Sequence, residues 1–262
     1  MKSKKYKILV LSDLNANTTN TLKSSIGLAK IVGADINFFY VKKPTEVVKA
    51  ENQLSAMRHV NREFFSTDKK IKDLISSFSK TYKVKINYKF AFGNVKNEIG
   101  DYIDENKPDI IVLGKRKSKM INVIGDNITD FILNKHNTTI VIANDKNVIE
   151  PDNDLALGLL YNVKPTHTFA ESIIGFSQKP LTSFKIADSS NTVKEENYLT
   201  DKQTVEYVFE KSDNDIKNIS SYLSKTKINY LFVNREDRNS KSARSNIKDA
   251  INNLNCSLIL TT

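Results

Sequence analysis

Between Lys5 and Thr262 short aliphatic and β-branched runs alternate with longer amphipathic stretches, and the whole alternation occurs twice. Runs of four to eight apolar residues without internal polar alternation need cover on both faces. A strand–helix–strand order supplies that cover only in a parallel sheet with helices on both sides. In the first pass the strand-like runs are 5–13 (KYKILVLSD), 34–41 (ADINFFYV), 83–93 (KVKINYKFAFG), 109–113 (DIIVL) and 139–143 (TIVIA). Between them Leu22, Ile26, Leu28 and Ala29 recur at helical spacing before Gly33. Residues 49–80 carry Leu54, Met57, Val60, Phe64, Ile71, Leu74, Ile75 and Phe78 at the same period. A break in that long helix is expected near Ser66-Thr67, because Ser and Thr compete for backbone hydrogen bonds. A short helix runs from Val95 to the residue before Pro108, and another spans about Asn127 to Asn134.

Asp145–Asp154 is polar, contains Pro151 and reads as a linker, after which the order restarts. Strands are expected at 155–161, 181–188, 205–211, 228–234 and 256–262, with helices at 166–178, 215–226 and 245–255. The phrase Ser25-Ile26-Gly27-Leu28 falls opposite Ile173-Ile174-Gly175-Phe176 in the second pass. Residues 189–203 are a polar stretch where the first pass has its long helix. The fold class is therefore α/β: two tandem, doubly wound, open parallel five-stranded sheets of Rossmann-like type. The expected domains are 1–146 and 154–262. The last runs of the two halves, Thr139–Ala143 and Cys256–Thr262, are candidates to pair with each other.

Composition narrows the function classes. Hydrophobic residues at 39% and charged residues at 27% describe a globular chain. No apolar run approaches the ~20 residues that span a bilayer, so no membrane partner is expected. The basic, then apolar N-terminus ends in Ser12-Asp13 and reads as a first strand rather than a leader. One cysteine, Cys256, excludes an internal disulfide framework and suits a reducing, cytoplasmic location. His59, His136 and His167 show no metal-ligand spacing, so no metal is expected. The net charge of +10 is uneven. Residues 1–146 hold 26 Lys+Arg against 15 Asp+Glu, and residues 147–262 hold 14 against 15. The dispersed lysines lack interleaved aromatics, so nucleic acid is not the expected partner.

After the first strand, where a dinucleotide fold needs G-x-G-x-x-G, the chain reads Ser12-Asp13-Leu14-Asn15. A P-loop and a G-x-S-x-G nucleophile elbow are also missing. Residues 108–143 have a different layout that suits a phosphate: a strand, Gly114, a cationic loop and a helix start, where backbone N–H groups and the helix dipole favour an anion. The corresponding C-terminal stretch, Asn234-Arg235-Glu236-Asp237-Arg238-Asn239, contains no glycine.

Taken together, residues 5–145 resemble a universal stress protein domain, whose signature runs strand–Asp–helix, strand–Val, then G-2x-G-9x-G-[S/T] after the fourth strand. Residues 155–262 look like a divergent copy. The resemblance implies adenine and ribose against Ser12, Asp13 and Val41, and phosphates on a loop containing Gly114, Arg116, Lys117, Gly125, Asp126 and Asn127. It also implies two copies paired as an intramolecular pseudo-dimer through their last strands, with a homodimer of such pairs as a further assembly. The loop departs from the signature. Its second glycine falls on Lys117, and Asp126 or Asn127 takes the Ser/Thr place near Gly125. A side chain at a close-approach glycine and a carboxylate at the helix start both oppose an anion. Lys115, Arg116, Lys117 and Lys119 offer a phosphate side-chain cations instead. The expectation is a non-enzymatic cytoplasmic stress-response protein with weak or no ATP binding and no required cofactor. The alternative is an adenine-nucleotide sensor or slow ATP hydrolase using the first half. Asp13 reads equally as a helix-start residue.

Overall fold

A computed structural model describes residues 5–46, 53–115, 128–145, 148, 154–160, 168–187, 202–210, 212, 215–223, 225–226, 228–235 and 241–261. The first half contains strands β1 (Tyr6–Ser12), β2 (Ala34–Lys42), β3 (Ile86–Phe92), β4 (Ile110–Gly114) and β5 (Thr139–Ala143). Its helices are α1 (Thr18–Val32), α2 (Gln53–Tyr82), α3 (Val95–Asn106) and α4 (Ile128–Lys135). The second half contains β6 (Leu157–Leu160), β7 (Leu181–Ala187), β8 (Thr204–Glu210), β9 (Tyr230–Asn234) and β10 (Ser257–Thr261), with helices α5 (Thr168–Phe176), α6 (Asp215–Leu223) and α7 (Lys241–Asn253).

The strand order is β3-β2-β1-β4-β5-β10-β9-β6-β7-β8. Each half alone is a parallel set in the order 3-2-1-4-5, counted within that half. The two sets join by one antiparallel pair, in which Leu258 faces Ile142, Ile259 faces Val141 and Leu260 faces Ile140. Both expected five-stranded parallel sets are present, and the expected pairing of their last strands joins them into one continuous ten-stranded sheet, because these terminal strands are apolar on both faces and cover each other.

Period-two alternation sends neighbouring strand residues to opposite cores. Ile8, Val10, Ile36 and Phe38 enter one core with Leu22 and Ile26 of α1, Ile71 and Ile75 of α2, and Phe169 and Ile173 of α5. Leu9, Leu11 and Phe39 enter the other with Ile99 of α3, Ile132 of α4, Ile219 of α6 and Ala250 of α7. Helix α1 ends at Gly33, whose φ of 68° closes a left-handed cap onto Ala29 and lets β2 begin at the next residue.

Helix α2 is unbroken, contrary to the expected interruption near Ser66-Thr67. Thr67 is buried, and its hydroxyl donates to Glu63 Oε1 (3.4 Å), one turn back. The apolar row continues past it to Ile71, Ile75 and Phe78, so packing outweighs the local preference of Ser-Thr. Most of the polar stretch expected at 189–203 lies outside the described residues. Its described end is Lys202-Gln203, where the Lys202 ammonium donates to the carbonyls of Ile174 (2.6 Å) and Ser177 at the end of α5.

Candidate functional site

In a doubly wound half the chain leaves β1 in one direction toward β2 and β3, then returns to lay β4 on the other side of β1. The resulting switch point, at the C-terminal ends of β1 and β4, is where open α/β sheets form a ligand crevice. Ser12 and Asp13 stand on one side of it and Gly114 on the other, and in-register pairing of Leu11 with Leu113 brings them together. The sequence-based candidates Arg116, Lys117, Gly125, Asp126 and Asn127 lie outside the described residues. Val41, near the end of β2, is buried in the core shared with α3 and α4.

The loop between β1 and α1 satisfies its own polar groups. Ser12 Oγ lies 2.8 Å from Thr18 Oγ1 and accepts from the Leu14 amide at 3.2 Å. Asp13 accepts from Asn15 Nδ2 at 2.8 Å and from the Asn15 amide at 3.4 Å. Asn15 Oδ1 in turn accepts from the Asn17 amide (2.8 Å). Leu14 adopts a left-handed φ of 54° to make this turn, a conformation that costs a branched residue. Asn17, at the start of α1, makes no side-chain cap. Its side-chain Nδ2 instead donates to the Lys115 carbonyl (3.2 Å), bridging the crevice. Asn20 Nδ2 similarly donates to the Asp145 carbonyl (2.8 Å) beyond β5.

Gly114 has a packing reason to be glycine. A Cβ there would lie 2.5 Å from Thr21 Oγ1, which donates to the Asn17 carbonyl at 3.0 Å. The absence of a side chain allows α1 to lie close on β4.

The residue following β4 is Lys115, and the residue following β9 is Arg235. Each donates its amide to the end of the adjoining terminal strand, Lys115 to Ala143 and Arg235 to Thr261, both at 2.8 Å. Their side chains then cross to the opposite half. Lys115 Nζ donates to the Leu254 carbonyl (2.6 Å), just past α7. The Arg235 guanidinium donates to the carbonyls of Leu133 (2.8 Å), His136 (3.1 Å) and Thr138 (2.9 Å), at and just after the end of α4. Leu254 and His136 each stand three residues before their terminal strand, so the two cations make reciprocal contacts. A helix C-terminus carries unpaired carbonyls and partial negative charge, which is what a cation can satisfy. Burial pushes the Lys115 ammonium below its usual range. Arg235 is 2% exposed.

The reading of Lys115 as a phosphate-facing cation thus competes with a structural contact across the seam. The role of Arg235 was missed by sequence reasoning. The available signal was positional: both halves place a basic residue one position after the fourth strand. Around the same seam Cys256 is buried, and burial pushes its thiol up to about 12, which keeps it protonated and unreactive at neutral pH. Among the described residues no group of three His, Cys, Asp or Glu is placed to hold a metal ion. No helix among them is long and apolar enough to cross a membrane.

This arrangement of strands, switch point and antiparallel seam is the α/β fold of the universal stress proteins. No family model matches the chain, and no curated protein matches it in sequence. Solved structures do. A universal stress protein from Archaeoglobus fulgidus DSM 4304 superposes with a TM-score of 0.74, covering 98% of this chain and 96% of its own, at 13% identity. A protein of unknown function from Pseudomonas aeruginosa PAO1 superposes with a TM-score of 0.60 at 11% identity, covering 98% and 92%. At such identities the shared property is the fold.

Proposed function

We propose that this chain is a tandem universal stress protein, a non-enzymatic cytoplasmic stress-response protein with two copies, 1–146 and 154–262, paired within one chain. In this reading it requires no cofactor and binds ATP weakly or not at all. The observation that carries the reading is the internal satisfaction of the switch-point crevice. Asp13 is engaged by Asn15, Asn17 by the Lys115 carbonyl, and the Lys115 and Arg235 side chains by carbonyls across the seam. A nucleotide that used Asp13, Asn17 or Lys115 in the first crevice would have to displace their bonds, each worth about 0.5–1.5 kcal/mol net and more where a charge is involved.

The second reading is an adenine-nucleotide sensor or slow ATP hydrolase confined to the first half. It is favoured by one observation: Asp13 remains exposed at the crevice mouth, opposite Gly114. Acid denaturation of purified protein, followed by analysis of released nucleotide and calorimetric titration with Mg-ATP, separates the two. The expected result is no co-purified nucleotide and no heat at micromolar ATP. Micromolar binding abolished by Asp13→Ala overturns the leading reading and establishes the sensor.

A further inference from the structure

Among the described residues, the N-terminal part of α2 forms a ridge separate from the crevice side chains named above. Helix α2 runs antiparallel to β2 and β3, and two contacts fix how far it extends. Lys42, the last residue of β2, forms an ion pair with Glu63. Phe92, the last residue of β3, has its ring 6.2 Å from that of Phe64. Residues 63–64 are therefore level with the C-terminal edge of the sheet. Residues 53–62 continue past it as a helical overhang of roughly 15 Å.

On this overhang and at its base, Leu54, Met57 and Phe65 are 73%, 60% and 74% exposed, and Phe64 is partly exposed beside them. Their spacing of i, i+3, i+10 and i+11 places them in one stripe along the helix. Exposed Arg58, Arg62 and Lys69 run beside the stripe at i, i+4 and i+11. The acidic groups in the same stretch face inward contacts. Glu63 pairs with Lys42 and accepts from Thr67, and the Lys42 ammonium holds its carboxyl below the usual carboxylate range. Asp68 hydrogen-bonds Tyr88. The ridge thus presents apolar groups and net positive charge outward, on the half of the chain that carries all the excess cationic residues.

We propose that this ridge docks the protein peripherally onto an anionic lipid surface, which departs from the expectation of no membrane partner because that expectation rested on spanning length alone. Leu54, Met57 and Phe65 enter the headgroup boundary, and Arg58, Arg62 and Lys69 meet lipid phosphates. Charge complementarity selects the surface, since a second copy of the ridge would bring like charges together. A stripe of aromatic and aliphatic groups beside a basic row is the pattern by which a helix lies in a bilayer interface. Insertion of so few side chains is weak alone, and each nearby cation adds attraction to an anionic leaflet, so attachment needs both and is reversible.

The test is co-sedimentation of the full chain with vesicles of phosphatidylcholine alone or mixed with phosphatidylglycerol. The expected result is binding to the mixed vesicles only, lost near ~0.5 M salt where charges are screened. Met57→Ser/Phe65→Ser and, separately, Arg58→Glu/Arg62→Glu are each expected to weaken binding by at least ~10-fold. Both leave the melting transition in place, because the changed groups are exposed. Absence of wild-type binding overturns the proposal, as does binding indifferent to Met57→Ser/Phe65→Ser, which would reflect bulk charge. Sedimentation velocity adds a further overturning result: a dimer dissolved by the same double substitution would assign the stripe to a second copy of the chain.

Discussion

Replacing Arg235 by Met keeps most of the side-chain volume and removes the three hydrogen bonds to Leu133, His136 and Thr138. A hydrogen bond to a charged group contributes about 1.5–3 kcal/mol net, so three set an upper bound of roughly 5–9 kcal/mol. The cost of burying a guanidinium at 2% exposure is several kcal/mol and disappears with the substitution. The remainder is a loss of about 3 kcal/mol, arising chiefly from carbonyls left without donors at the end of α4. For a chain of this size that corresponds to roughly 6–12 °C in melting temperature. The assay is urea denaturation together with amide hydrogen exchange. The midpoint falls, and protection is lost around His136 and in β5, although the substitution lies in the other half. Arg235→Lys recovers less than half the loss, since one ammonium cannot reach three divergent carbonyls. Unchanged stability in Arg235→Met, or lost protection confined to residues after 154, would refute the argument that this side chain links the halves.

Gly114→Ala is expected to cost about 1–3 kcal/mol by overpacking against Thr21, and Gly114→Ala/Thr21→Ser, which keeps the hydroxyl, to recover little of it. The measurement is a thermal melt in the absence of nucleotide. His136 is buried, and desolvation holds its imidazole below the ordinary value of 6.5 despite Asp104 at 4.0 Å. The folded state therefore binds fewer protons than the unfolded chain across the interval just below 6.5. Its stabilising contribution is complete above that value and is lost as pH falls through the interval. A pH series of urea midpoints is expected to decline below about 6.5, and His136→Phe is expected to flatten that portion.

Much of the architecture was legible because burial on both faces of a parallel sheet leaves continuous apolar runs. Ile8–Leu11, Ile110–Leu113 and Leu258–Leu260 are such runs, and each is a strand. The seam between β5 and β10 followed from the same property, since two terminal strands with apolar faces need a neighbour. Side-chain reach was the part not legible. Arg235 reads in sequence as one charge among several in a polar loop, and only the seam shows that it points into the other half. Gly114 invited a phosphate reading because glycine marks any close backbone approach, and here the approaching group is Thr21. Ser66-Thr67 suggested a break because local preference is visible in sequence whereas the sheet that supports α2 is not.

The antiparallel seam has a consequence for how such a protein can change. Where two identical chains meet, any substitution appears on both sides at once, and their union weakens on dilution. Here the union is covalently tethered, so it holds at any concentration, and each side is coded separately. One side can drift in shape while its neighbour retains a different surface. The link between them rests on contacts as unlike as a lysine and an arginine.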